Sequence, residues 1–529
     1  MDVFTGLLFA DEAEYAAAAY APPVDDAVFE DLNIDKIVAA VVPENLNEYQ
    51  LNKIYRQRPR RRLDADFRAA ISRDLWDDEL RAEMNARLAD LTRARDYMKT
   101  SDNVHITPVK EKWKLDAAIE YVNAVTALCE RTGKRFNAEG LERFSSWLRE
   151  YAKTDAFTRL RDEAFTVKAM VDGISYELDI DLGRNSVVMS ADTGAGDVVG
   201  DLAKTFGRYD LDNVNLEIVA FADINMNMLE REILAHTQKE HPGLYDALIA
   251  FDKHFDNFIH ERILAFKRET LFYVTFIEFA KRLESKGFVF ALPRFSDDRA
   301  FAVTEGFDMA LAIARGDADR IVLNDFVLNE GESNFLLTGP NQGGKTTFSR
   351  MLGQILFFSS LGLPAPCKDA RLFWTNGVKT HFNAEENPAD GSGRLKEELM
   401  RLKKILVSAP EGSVVILNEL FSSATTYDAL EMGRHIMRLF EKKRCVCLYV
   451  THLFELSANS GAINLIAEIT GEPEPVCTYK IIRAETVRNA HANRLLAGRR
   501  LLAADIKERT NVTFAAIPSN KNNESVRRR

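Results

Sequence analysis

The sequence predicts a multidomain chain: an α-helical first half carrying a small β insert, followed by an α/β domain built around a phosphate loop. Three stretches carry that expectation. "NFLLTGPNQGGKTTF" sets an apolar strand against a glycine-rich turn and a helix start. "ISYELDIDL" alternates apolar and acidic residues with the period of a half-buried strand. The span from Leu244 to Lys286 contains neither glycine nor proline.

With 529 residues the chain exceeds one hydrophobic core. Hydrophobic residues at 46% and charged residues at 28% are ordinary for a globular protein. No apolar run approaches the ~18 residues of a membrane span, and "MDVFTGLLFADEAEY" is acidic where a secretory leader would be basic and then apolar. Five cysteines, an odd and small number, fit a reducing compartment better than a disulfide scaffold. The expectation is a cytoplasmic protein without a membrane partner. The net charge of -11 excludes a generally basic surface, so any nucleic-acid contact needs a local patch.

Along the chain, residues 1–44 are acidic and Ala-rich and read as an N-terminal arm or a tail. Residues 45–160 are helical, with Leu115, Ile119, Val122 and Val125 on one stripe and Gly133 as a stop. Residues 161–230 hold the strand Ile174–Leu182, bounded by Asp172-Gly173 and Gly183 as turn signals. Residues 231–290 read either as one long helix of about 65 Å or as two shorter helices joined by a polar turn, with Phe272, Phe276, Phe279 and Leu283 on one stripe. Residues 291–510 turn α/β, with "IVLNDFVL", "NFLLT", "VVILN", "CVCLYV" and "VCTYKIIR" as short strands of a mostly parallel sheet. Residues 511–529 form a polar, flexible tail.

Gly339, four intervening residues and Gly344-Lys345-Thr346 fit the phosphate-loop pattern. Glycines let the backbone of Gly339, Pro340, Asn341, Gln342, Gly343 and Gly344 aim N–H groups at phosphate oxygens. Lys345 supplies a positive charge, Thr346 a hydroxyl for Mg²⁺, and the following helix, with Thr347, the positive end of its dipole. "SVVILNEL" is a buried strand ending in Asn418-Glu419, where Glu419 can activate a water. "LYVTHLFEL" ends in Thr451-His452, which can sense the same phosphates. "ADGSGRLKEELMRLKKIL" opens an amphipathic helix with Ser392, Gly393 and Arg394 at its start, suited to meeting another subunit. Two weaker signals have structural readings: the cluster Arg56, Arg58, Arg60, Arg61 and Arg62 is followed by Asp64 and Asp66 and reads as a solvated or self-paired loop, and Cys445-Val446-Cys447 as a buried strand.

The succession "TGPNQGGKTT", "HFNAEENPADGSGRLKEEL", "ILNELFSSATTYDA" and "YVTHLFEL" resembles the ATPase domain of the MutS family of DNA mismatch-repair proteins. The close resemblance covers residues 320–460. It implies an ABC-like P-loop ATPase domain, with the helical core and lever, the clamp-like insert and the long lever region upstream. It also implies a homodimer whose ATPase domains complete each other's sites, with ATP as substrate, Mg²⁺ as cofactor and DNA as partner. Gly339 to Thr347 would hold the phosphates, Glu419 would be the base and His452 the switch residue, with Ile321 to Asn324 near adenine. Ser392, Gly393, Arg394 and Asp428 would face the partner.

Three departures qualify the resemblance. No Phe-x-Glu wedge occurs in the first 100 residues, so a chain without the mismatch-reading domain is expected, its function a nucleotide-driven clamp on DNA without mismatch recognition. The alternative is a protein-binding switch that never touches DNA. Gly393 stands at the best-aligned position for a partner-facing Ser, with Ser392 beside it. Asn418 stands where the family carries an Asp that helps hold Mg²⁺; it keeps an acceptor oxygen and drops a charge, so slow hydrolysis is expected.

Overall fold

The structure, a computed structural model, describes residues 6–18, 20, 22–131, 136–181, 186–191, 228–292, 294–382, 393–457, 461–470 and 476–484. The chain divides into two compact units, one of Met1–Glu12 with Asp74–Val274, the other of Ala13–Arg73 with Thr275–Arg529. The architecture is mixed, helical and α/β, with two mixed sheets in the second unit. Among the described residues no helix is long and apolar enough to cross a membrane.

The stretch expected as an N-terminal arm folds into α1 (Glu12–Ala18), α2 (Asp26–Asp31) and α3 (Ile34–Val41), followed by α4 (Leu51–Arg56) and α5 (Arg62–Leu75). Asp25 caps α2 by accepting from Ala27 N, and Ile34, Ile37, Val38 and Val41 put one face of α3 in the core. Four arginines of the segment expected as a solvated or self-paired loop have partners, some local and some far along the chain. Arg56 pairs with Asp26, Arg58 donates to Thr375 O, and Arg61 makes two 2.8 Å bonds to Asp64. Arg62 reaches Asp66, Asp297 and Phe295 O.

The helical unit contains α6 (Asp78–Asn103), α7 (Thr107–Arg131), α8 (Glu139–Tyr151) and α9 (Asp155–Asp172). The stripe Leu115, Ile119, Val122 and Val125 is buried on α7. The hairpin β1 (Tyr176–Asp181) with β2 (Ser186–Ala191) is antiparallel, Tyr176 opposite Ala191 and Asp181 opposite Ser186. Leu182, Gly183, Gly133 and residues 192–227 lie outside the described residues. Next come α10 (Met228–Glu240), α11 (Pro242–His254) and α12 (Glu261–Glu284), so the long helical span is two helices. The break at 255–260 has a tertiary cause. Phe258 is buried with its ring centroid 5.7 Å from that of Tyr121. His260 N donates to Tyr121 Oη, and His260 Nδ1 accepts from Arg262 N, which caps the new helix.

In the second unit, β3 (Arg294–Ser296), β4 (Phe301–Gly306), α13 (Met309–Arg315) and β5 (Asn324–Leu328) lead to β6 (Asn334–Thr338) and α14 (Lys345–Ser360). Then come β7 (Asp369–Phe373), β8 (Val378–Phe382), α15 (Arg394–Ser408), β9 (Val414–Asn418), α16 (Thr426–Lys442), β10 (Val446–Val450), β11 (Ile463–Thr470) and β12 (Val476–Arg483). The larger sheet runs β12-β11-β6-β10-β9-β8, parallel except for the antiparallel edge β12. Every residue of β6, β9 and β10 is buried, as a sheet covered on both faces requires. Val415, Leu417, Cys447 and Tyr449 face the core with Leu402, Ile405, Ile436 and Phe440 of α15 and α16. Cys445 and Cys447 are buried free thiols. The smaller sheet, β3-β7-β4-β5, is mixed and was not anticipated beyond β5.

Two side chains of β12 bind its neighbour β5: Lys480 Nζ donates to Leu323 O at 2.5 Å, and Arg483 reaches Val327 O and Glu332. The hydrogen bond from Arg483 holds the Glu332 carboxyl down at about 2, against an ordinary 4.5. A carboxyl depressed in the folded state stabilises fully above its unfolded pKa and loses that contribution as pH falls through the folded one. Glu332→Gln should therefore lower the urea midpoint at pH 7 relative to wild type, with the difference shrinking as pH drops from 4.5 toward 2.

Gly362, at φ +73, ends the α14 turn where a methyl group would lie 2.3 Å from Arg68 Cβ and 2.7 Å from Ala69 N. Gly316 has the same φ with open space around it. Gly362→Ala should cost on the order of 3 kcal/mol or more by chemical denaturation, because backbone of α5 blocks the new atom. Gly316→Ala should cost about 1 kcal/mol, the conformational penalty alone.

Candidate functional site

Parallel strands of the larger sheet end together. Val450 sits opposite both Leu337 and Asn418, and Asn418 opposite Phe382. The turns leaving β6, β9 and β10 therefore meet at one carboxyl edge, the usual location of a ligand crevice in such sheets.

The turn after β6 is tight. Gly339 has φ +145 and Gly344 φ +87, and Gln342 adopts φ +62. A methyl at Gly339 would lie 2.7 Å from Ala467 Cβ, and one at Gly343 3.0 Å from the same atom, so the turn rests directly on β11. Gly343 N donates to Pro340 O and Phe348 N to Gly344 O, carrying the turn into α14. Lys345, only 4% exposed, folds back over the turn, its ammonium donating to Gly339 O at 3.0 Å and to Pro340 O at 2.9 Å. Burial pushes that ammonium below the ordinary lysine value.

Thr346 Oγ1 donates to Asn418 Oδ1 at 3.4 Å, bringing β9 to the turn. Glu419 follows with φ +53, a left-handed conformation fixed by its N–H bond to Val450 O at 2.9 Å. That reversal turns the carboxylate into the crevice, where Oε1 accepts from His452 Nε2 at 2.9 Å. The His452 hydrogen bond holds the Glu419 carboxyl below its ordinary range, so it is ionised at neutral pH. Thr451 Oγ1 accepts from Leu453 N, shaping the turn that presents His452.

These groups share a cavity of about 630 Å³ lined by Asn341, Gln342, Gly343, Gly344, Lys345, Thr346, Thr347, Glu419 and His452 at one end. Leu311, Arg315, Arg320, Ile321, Val322, Asn324 and Tyr479 line the other. Gly339 and Pro340 do not line it; their carbonyls accept from Lys345 behind it. The arrangement combines a positive helix end, glycine N–H groups, a buried ammonium and an ionised carboxylate, which suits a phosphate anion and an attacking water. Thr346 and Asn418 are the oxygen pair suited to a hard divalent cation. Among the described residues no cluster of three His, Cys, Asp or Glu could hold a metal by itself.

Ile321 and Asn324, expected near adenine, line the cavity, but the Asn324 amide does not face it freely. Its Nδ2 donates to Val322 O and Tyr479 O, and its Oδ1 accepts from Ile481 N at 2.8 Å, so Asn324 holds β12 in place. Gly393 begins α15, its carbonyl accepting from Glu397 N. Asp428 closes a reciprocal cap with Thr425, at 2.7 Å and 3.2 Å. Neither Gly393 nor Asp428 lines the cavity. Ser392 and the Arg394 side chain lie outside the described residues. Tyr479, Arg315 and Arg320 were missed by sequence reasoning. Tyr479 reaches the cavity only because β12 pairs at the sheet edge, with φ +60 turning its backbone over Gly344.

Residues 335–493 match the family model for MutS domain V. The chain is 28% identical over 180 residues to the DNA mismatch repair protein MutS of Rickettsia felis, 34% of this chain and 20% of that protein. It is 29% identical over 167 residues to that of Rickettsia bellii, 31% of this chain and 19% of the relative. The matched region thus spans about one fifth of the relatives' length. Residues 335–493 thus resemble MutS domain V, and the likeness to the MutS proteins extends over about a third of this chain.

Proposed function

We propose that this chain is a slow ATPase that works as a homodimer, each ATP with Mg²⁺ being bound by one copy and completed by the other. The observation that carries the reading is the convergence of the Lys345 turn, the Thr346–Asn418 pair and the Glu419–His452 pair on one cavity. Gly339 to Thr347 hold the triphosphate, and Lys345 exchanges its two carbonyl partners for phosphate oxygens. Ile321, Val322 and Tyr479 enclose the nucleoside. Thr346 and Asn418 hold Mg²⁺, which would neutralise phosphate charge. Ser392, Gly393, Arg394 and Asp428 face the partner copy.

Glu419 takes the proton from the attacking water, and His452 positions its carboxylate. The same hydrogen bond makes Glu419 a weaker base, and Asn418 brings no negative charge to the metal; both slow turnover. Lys345→Ala should weaken ATP binding roughly a hundredfold, the scale of lost charge-assisted hydrogen bonds. Glu419→Gln should retain ATP while turnover falls by about 10² or more. Asn418→Asp should raise turnover or lower the Mg²⁺ requirement. Wild type without turnover in millimolar Mg²⁺, unchanged by Glu419→Gln, would rule out the ATPase reading.

The proposed output is a nucleotide-driven clamp on DNA, supported by the relatives' role in DNA mismatch repair and by the helical unit upstream. A specific observation favours the rival, a switch for protein partners. On the helical unit Arg81, Arg93, Lys112, Arg143, Lys153 and Lys168 are each engaged by a neighbouring carboxylate. Gel shifts with duplex and branched DNA across a salt series separate the two. ATP-dependent retention at moderate salt supports the clamp, and none at any salt supports the rival.

A further inference from the structure

The turn between α2 and α3 is fastened to two helices of the second unit at once. By its main chain it holds α14, the helix that begins in the phosphate-loop turn: Asp31 O accepts from Arg350 Nε at 2.9 Å, and Leu32 O from Gln354 Nε2 at 3.0 Å. Leu32 is fully buried in a notch at Gly353, where a methyl group would lie 2.5 Å from Leu32 Cδ2. By its side chain the turn holds α15. Asp31 Oδ2 accepts from Arg401 Nη2 at 2.5 Å and from Phe382 N at 3.2 Å, and Arg401 Nη1 donates to Phe382 O at 3.3 Å. The Asp31 side chain is 10% exposed, so this ion pair is poorly screened by solvent.

Asp31 is thus the residue whose backbone grips one helix and whose carboxylate grips the other. α15 is also the helix that starts at Gly393, the end assigned above to the partner copy. We infer that Asp31 is a positioning residue that links the phosphate-loop helix to α15, so that filling the loop with triphosphate orders the partner-facing start of α15. The inference rests on the proposed nucleotide site. It follows from the stiffness of the path: two main-chain bonds and a buried leucine on one side, and a charge-assisted pair with a backbone anchor on the other.

The test uses the full chain and a non-cleavable ATP analogue. Asp31→Asn keeps the shape and removes the charge. Asp26→Asn, one turn earlier on the same helix, removes an exposed pair with Arg56 and serves as control. The readouts are analogue affinity, hydrogen-exchange protection of residues 393–408 on binding, and turnover. Asp31→Asn should leave affinity within about twofold, abolish the added protection and lower kcat about tenfold with KM unchanged, the scale of one charge-assisted hydrogen bond. The double variant Asp31→Asn, Arg401→Gln should be no worse than Asp31→Asn, and Asp26→Asn should match wild type. Wild-type protection and kcat in Asp31→Asn would overturn the inference. So would affinity and turnover falling together, the mark of general loosening. If wild type fails to bind the analogue, the nucleotide reading itself fails and the inference goes with it; binding with equal protection in both proteins removes the inference alone.

Discussion

The approach of the turn after β6 to Ala467 on β11 is the contact on which the cavity depends. Methyl groups at Gly339 and Gly343 would lie 2.7 Å and 3.0 Å from Ala467 Cβ, so the backbone enters space that no side chain could share. That closeness lets the turn curl under Lys345 and gives the ammonium two carbonyls to bind. It also places β11 next to β6, their pairing running to Ile466 opposite Thr338, just before Ala467 and the turn. A larger residue at position 467 would push the turn outward and open the ammonium's cage. The glycines are thus required both by backbone conformation and by a neighbour distant in sequence.

The preformed cage bears on the electrostatics of the site. A buried ammonium hydrogen-bonded to neutral carbonyls is costly, and the depressed lysine value shows that burial outweighs the attraction of Glu419. An incoming phosphate relieves that cost by offering negative charge where neutral dipoles now stand. Across the crevice the opposite holds: Glu419 is already stabilised by its histidine and gains less from further donors. The free protein is therefore poised toward binding anions more strongly than toward proton abstraction, in keeping with a proposed site that captures nucleotide readily and turns it over slowly.

What could be read from the sequence followed the reach of its signals. The turn from Gly339 to Thr347 is a local pattern, and β6, β9 and β10 are unbroken apolar runs, so their identity survives without knowledge of neighbours. β8, "VKTHF", carries polar residues inside a buried strand and gave no such signal. The break between α11 and α12 is imposed by Phe258 and His260 meeting Tyr121 of another helix, which no local periodicity encodes. The hydrogen bonds of Asn324 could not be read locally, because its partners Tyr479 and Ile481 lie on a strand more than 150 positions away. Glu419 and His452 were singled out by their places at the ends of apolar strands and by the family resemblance; the structure adds that the two touch.

The second unit is assembled from two separated stretches, Ala13–Arg73 and Thr275–Arg529, with Asp74–Val274 of the helical unit between them in sequence. Ile34, Ile37, Val38 and Leu32 therefore emerge early in synthesis, while α13, which packs against α3, and Gly353 and Gln354 of α14, which seat Leu32, emerge much later. Such long-range closure is slow and leaves apolar surface waiting. Its compensation is stiffness. A segment held by contacts so distant in sequence cannot loosen from one helix without releasing the other, because Asp31 and Leu32 are adjacent and grip α14 and α15 together. A local loop could be displaced from either helix separately. The sequence-distant turn makes the two helices one mechanical piece, which is the property a proposed nucleotide-responsive ATPase needs between its phosphate loop and its partner-facing end.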